Sequence, residues 1–78
     1  MADRTLILKS IQAVAASDTT PADDDSLFDS GLLDSFSLAD LASQLETNFG
    51  IQIPDSDLNP RKFDTIERID AYITARSK

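Results

Sequence analysis

The sequence predicts a small all-α domain, with three amphipathic helices and one further helical turn wrapped around a single core. Three observations carry this. Apolar residues recur at helical spacing in three segments of the 78-residue chain. The one alternating stretch, Ile51-Gln52-Ile53-Pro54, has no second strand to pair with. Pro21, Gly50 and Asn59-Pro60 punctuate the periodic segments where helices must stop.

The first helix is predicted over residues 4–16. Ile7, Ile11, Val14 and Ala15 fall on one face, Leu8 widens it, and Asp3 stands where a cap belongs. Ser17-Asp18-Thr19-Thr20-Pro21 is turn chemistry. Residues 17–34 then show no period, which is a long connection for so small a domain, and such loops are functional or disordered. Leu27, Phe28, Leu32 and Leu33 argue for a loop anchored on the core. The second helix, 36–49, carries Leu38, Leu41, Ala42, Leu45 and Phe49 on one face over three turns. Gly50 suits its C-terminal stop, with Ile51 as the accompanying apolar contact. Residues 51–54 form an extended connector, and Asp55 to Leu58 a single turn that Asn59-Pro60 ends. The last helix runs over 65–76. Asp64 or Thr65 caps it, Asp64 and Glu67 are spaced as a capping box, and Ile66, Ile69 and Ile73 face inward with Tyr72 beside them.

Composition narrows the chemistry. Seven basic and 14 acidic residues give a net charge of −7, and the pI is near 4.1. Such a surface repels nucleic acid and favours basic protein partners. With no cysteine and no histidine, disulfides, structural zinc, His-based triads and a thiol nucleophile of the chain's own are excluded. At 41% hydrophobic the chain is too apolar to be disordered. No apolar run exceeds the four residues of Ala13-Val14-Ala15-Ala16, so no membrane insertion is expected. The start, Met1-Ala2-Asp3, lacks a signal-peptide pattern. The expectation is therefore one domain over residues 1–78, monomeric and cytoplasmic.

Charge is uneven along the chain. No Lys or Arg lies between Lys9 and Arg61, whereas ten carboxylates do. That stretch is either a solvated surface or a docking face for basic partners. At its centre, Asp34-Ser35 opens the second helix. An ordinary N-terminal cap explains this pair. So does a serine that bears a phosphodiester-linked group, because free N–H groups and the helix dipole tolerate a phosphate there. Nothing nearby in sequence activates Ser35 as a nucleophile, so a modification requires another enzyme, and a small hydrolase is the weakest reading. Phe36 lies off the apolar stripe and shares a face with Asp40. It is either a partner contact or tucked against Leu32 and Leu33. An EF-hand register started at Asp23 fails, with Leu27 and Phe28 where an oxygen donor and a glycine are needed. No metal ligand set, Gly-rich phosphate loop or catalytic carboxylate pair is present.

The segment Phe28-Asp29-Ser30-Gly31-Leu32-Leu33-Asp34-Ser35-Phe36-Ser37-Leu38 resembles the signature of the acyl carrier protein family around its phosphopantetheine serine. Glu46 through Pro54, and Leu58 through Ile66, are similar to the family's second-helix end and its run into the last helix, so the likeness covers nearly the whole chain. The resemblance implies a four-helix bundle with a short third helix. It implies 4′-phosphopantetheine on Ser35, preceded by Asp34 and installed by a phosphopantetheinyl transferase. It implies a non-catalytic carrier that holds cargo as a thioester between an acyl- or aminoacyl-activating ligase and a downstream acyl-transfer enzyme. Phe36, Asp40 and Glu46 match positions that partners read, and Ile53 falls in the connector that shelters cargo or meets partners. Gly31-Leu32-Leu33-Asp34-Ser35-Phe36, and only Asp40 and Glu46 as carboxylates on the helix, look closer to D-alanyl and stand-alone aminoacyl carriers than to the fatty-acid type. The alternative is an acidic helical adaptor that binds a basic partner and carries no prosthetic group.

Overall fold

A computed structural model describes residues 3–76. It contains α1 (Arg4–Ala15), α2 (Ser35–Phe49) and α3 (Ile66–Arg76), with a 3-10 turn at Asp55–Asp57 between α2 and α3. Among the described residues there is no strand, and 51–54 is extended connector. The protein is thus all-helical, and the short third element is one turn. Pro54 precedes that turn, no side chain caps it, and Asn59-Pro60 follow it, so it has no room to grow.

The predicted stripes form the core. Ile7 and Ile11 of α1 meet Leu38, Leu41, Ala42 and Leu45 of α2 and Ile66, Ile69 and Ile73 of α3, all buried. The connectors add Leu27, Leu33, Ile51, Ile53 and Phe63. Among the described residues no helix is long and apolar enough to cross a membrane.

Three details differ from the sequence expectation. First, α1 stops at Ala15, because Ala16 turns to φ 52, ψ 44, a left-handed conformation, with its N–H on the Gln12 carbonyl. Second, Ser35 is the first residue of α2 rather than a flanking one. Third, Asp64 and Glu67 do not form a capping box. Thr65 caps α3 through its Oγ1, which accepts the Arg68 N–H at 3.0 Å. The Glu67 N–H instead finds the Asp23 carbonyl at 3.1 Å, and the Asp64 carboxylate accepts from Ser26 Oγ at 2.6 Å.

Two buried polar groups lie on helical faces that periodicity marks as core. Ser10 Oγ donates to the Leu6 carbonyl at 2.9 Å and accepts from Asn48 Nδ2 at 2.8 Å, which ties α1 to α2. Asp70 accepts from Arg4 Nε at 2.7 Å, and Arg4 also pairs with Asp23 of the long loop. Each polar atom has a partner, as burial requires. The 3-10 turn is held to α3 by Tyr72, whose hydroxyl donates to Asp57 Oδ2 at 2.6 Å, while Lys62 Nζ reaches Asp57 Oδ1 at 2.9 Å. Phe63 packs its ring on Tyr72 with centroids 5.0 Å apart.

Candidate functional site

The site is built where the long loop becomes α2. Leu27, midway along the loop, and Leu33, near its end, at 0% and 3% exposure, sink into the core on either side of its last turn. Between them the chain folds on itself. The Leu33 N–H donates to the Leu27 carbonyl at 3.0 Å, and Gly31 sits at φ +85 with its N–H on the Phe28 carbonyl at 3.2 Å. A side chain at that φ is strained, which is why glycine occupies the turn. Residues 34–36 are consequently delivered to the surface at a fixed point rather than on a loose tether.

Asp34 is the α2 cap, with extended backbone at φ −141, ψ −176. Its Oδ1 accepts the N–H of Ser37 at 2.8 Å and that of Phe36 at 3.0 Å. The Ser37 amide first, then the Ser37 side chain and the Phe36 amide, hold the Asp34 carboxyl below the usual range against a smaller opposing effect of burial. Two of the first-turn amides that could face a phosphate, those of Phe36 and Ser37, are therefore already taken by Asp34, and the positive end of the helix dipole still favours an anion at this tip.

Ser35, the next residue, is exposed at that tip. Phe36 is 89% exposed, so of its two readings the tucked one is excluded. No core contact explains a phenyl ring in water, and it stands beside the serine. Asp40, one turn on, is exposed on the same side of α2. Phe36 and Asp40 thus share one accessible edge, which begins beside Ser35 at the helix tip.

Glu46 and Ile53 lie elsewhere. Glu46 is half-buried near the α2 C-terminus, and its Oε2 accepts the Ile53 N–H at 2.8 Å. Ile53 itself is 7% exposed and belongs to the core. The carboxylate thereby clamps the extended connector under the end of α2, and both residues are engaged within the domain. Among the described residues, no group of three or more His, Cys, Asp or Glu is placed to hold a metal ion.

A covalently held arm fits this tip. Ser35 is exposed, and a covalent bond needs no enclosing pocket. Sequence reasoning missed the contacts that fix the loop from behind, Ser26–Asp64 and Arg4–Asp23. These pairs are 38 and 19 residues apart, and no local pattern marks them.

Comparison with known proteins gives the family of the chain. A family model described as "Phosphopantetheine attachment site" matches residues 5–73. The D-alanyl carrier protein of Leuconostoc citreum is 33% identical over 73 residues, covering 94% of each chain. That of Streptococcus mutans is 34% identical over 68 residues, 87% of this chain and 86% of the relative. That of Leuconostoc mesenteroides is 31% identical over 67 residues, 86% of each.

Proposed function

From membership in the phosphopantetheine attachment-site family, to which the chain belongs, we propose that Ser35 is the serine bearing the arm and that the protein shuttles a thioester cargo between partner enzymes. The family are carriers rather than catalysts, and 4′-phosphopantetheine is bound covalently to a serine. When bound, the group supplies a terminal thiol, which accounts for a thioester carrier with no cysteine.

The observation that carries the assignment to Ser35 is its exposure at the first position of α2, after a loop that Leu27 and Leu33 anchor in the core. Ser35 acts as an acceptor only. Its Oγ forms the bond to phosphorus, the transferase takes the hydroxyl proton, and the adenosine bisphosphate half of coenzyme A leaves. The chain has no histidine to act as base, so that role belongs to the transferase. Asp34 fixes the start of α2 and with it the direction of the Ser35 side chain. Phe36 and Asp40 form the edge that a transferase or ligase reads. Glu46 and Ile53 contribute by holding the connector. For cargo we infer an aminoacyl group. This rests on the names of the similar proteins and on the sparse acidity of α2, which carries only Asp40 and Glu46.

The test is incubation with coenzyme A and a broad-specificity phosphopantetheinyl transferase. Intact mass should rise by one arm, and Ser35→Ala should abolish the gain. No gain in wild type with an active transferase refutes the assignment and leaves an acidic adaptor.

A further inference from the structure

We propose that Asp64, on the approach to α3, is a positioning residue for Ser35, acting through Ser26; the proposal rests on Ser35 as the modified residue. The observation is a continuous run of hydrogen bonds. Asp64 Oδ1 accepts from Ser26 Oγ at 2.6 Å, and the Asp64 carbonyl accepts the Leu27 N–H at 2.6 Å. The same Ser26 Oγ accepts the Asp29 N–H at 3.1 Å. The Ser26 carbonyl accepts the Ser30 N–H at 3.1 Å, and Ser30 Oγ donates to the Leu27 carbonyl at 3.1 Å. That carbonyl also takes the Leu33 N–H, and the next residue is the Asp34 cap. Residue 64 is thus joined to the start of α2 through made bonds, held at its own end by two acceptors, the carboxylate on Ser26 and the backbone carbonyl on Leu27.

Asp64 is not needed where its position suggests. Thr65 supplies the α3 cap, and the Asp23 carbonyl takes the Glu67 N–H. The Asp64 side chain is therefore committed to the loop. Its charge-assisted bond to a hydroxyl is of the stronger kind, and it fixes the pivot of the turn that carries residues 29–33. Released, the turn samples other poses, and a transferase that needs one pose meets a smaller competent fraction. Apparent affinity then falls in proportion to that fraction, while turnover of the bound complex is preserved.

The experiment measures transferase kinetics with coenzyme A, together with backbone amide exchange, on wild type, Asp64→Ala, Asp64→Asn, Ser26→Ala and Ser26→Thr. Both alanine variants should raise KM for the carrier about tenfold and leave kcat within about twofold. Asn keeps an acceptor and Thr keeps a hydroxyl, so both should restore wild-type KM. Exchange should quicken at the Leu33, Phe36 and Ser37 amides and stay unchanged at Leu41 and Leu45. An unchanged KM in both alanine variants overturns the proposal. So does failure of Asn and Thr to rescue, or a uniform rise in exchange that reports global loosening. Wild type that accepts no arm refutes the Ser35 assignment instead, and the exchange pattern still decides whether Asp64 orders the loop.

Discussion

Leu27→Ala tests the claim that the loop before α2 is a folded part of the domain. Leu27 is fully buried among residues of the helices, although it lies in a segment with no helix of its own. The substitution removes three carbons, worth about 2.4 kcal/mol at roughly 0.8 per methylene. The cavity left behind raises this toward the range of about 2.7–5 kcal/mol found for buried leucines. A chain of 78 residues has a total stability of about 4–12 kcal/mol, so one loop side chain accounts for a large share. Urea unfolding followed by far-UV circular dichroism should show the midpoint falling by about 3 M, with a slope near 1 kcal/mol per M for a domain this small. Asp24→Ala, an exposed change in the same loop, should stay within about 0.5 kcal/mol. A loss below about 1 kcal/mol for Leu27→Ala would mean that the loop is draped over the core and that the fixed delivery of Ser35 has no basis.

Ala16 is a non-glycine residue at φ 52, and Ala16→Gly relieves about 1–2 kcal/mol of left-handed strain. Set against the greater unfolded-state freedom of glycine, the net gain should be about 0.5–1 kcal/mol, read as a thermal midpoint higher by about 2–8 °C; no rise would show that the α1 stop is not strained. Tyr72 is the single tyrosine in a chain without tryptophan, so absorbance at 295 nm titrates it alone. Burial, then the bond to Asp57, pushes its hydroxyl up to about 12. At pH 11 it should be about one-tenth ionised when folded and nine-tenths when unfolded. The stability it contributes should be whole below pH 10 and lost as pH rises from the ordinary tyrosine value of 10.0 toward about 12. Asp57→Asn should lower the midpoint yet leave it above 10, because burial is the larger cause; a wild-type midpoint near 10 would place Tyr72 in water. Phe36→Ala should leave stability within about 0.5 kcal/mol and lower the ligase's kcat/KM by roughly tenfold or more. Unaltered loading kinetics would remove Phe36 from the partner-facing edge.

What the sequence made legible was local. Helical periodicity placed Ile7, Ile11, Leu41, Leu45, Ile69 and Ile73 inside, and all six are buried. The Asp34 cap and the Gly50 stop were readable because capping is decided within three or four residues. Asp34-Ser35 was also visible, since its meaning lies in the residues on either side. What stayed hidden depends on distance along the chain. Asp70 falls on the core face of α3, and nothing local explains a carboxylate there until Arg4, 66 residues away, is beside it. Asp64 reads as a cap because its true partner, Ser26, lies 38 residues upstream. Phe36 was ambiguous because a helix wheel does not show whether the preceding loop folds over the ring. The family resemblance offers Glu46 as a position that partners read and Ile53 as part of a connector that shelters cargo or meets partners, and a single hydrogen bond joins the two under α2.

The placement of the few cations explains how the edge beside Ser35 keeps its charge. Among the described residues, the ion pairs join Arg4 to Asp23 and Asp70, and Lys62 and Arg76 to Asp57. Arg68 donates to the Arg61 carbonyl and Arg76 to the Gln52 carbonyl. Each of these bonds serves the loop, the 3-10 turn or α3, and none of them reaches α2. Because no Lys or Arg occurs between Lys9 and Arg61, α2 has no cation of its own. Among the described residues, no ion pair reaches the exposed Asp40 carboxylate beside Phe36. Within a Debye length of about 8–10 Å, an approaching surface meets an apolar ring against a negative background. That combination rewards a basic rim around a hydrophobic contact and penalises an acidic one. The arginines and the one lysine that pair within the described residues, Arg4, Lys62 and Arg76, thus serve other parts of the domain and leave α2 acidic.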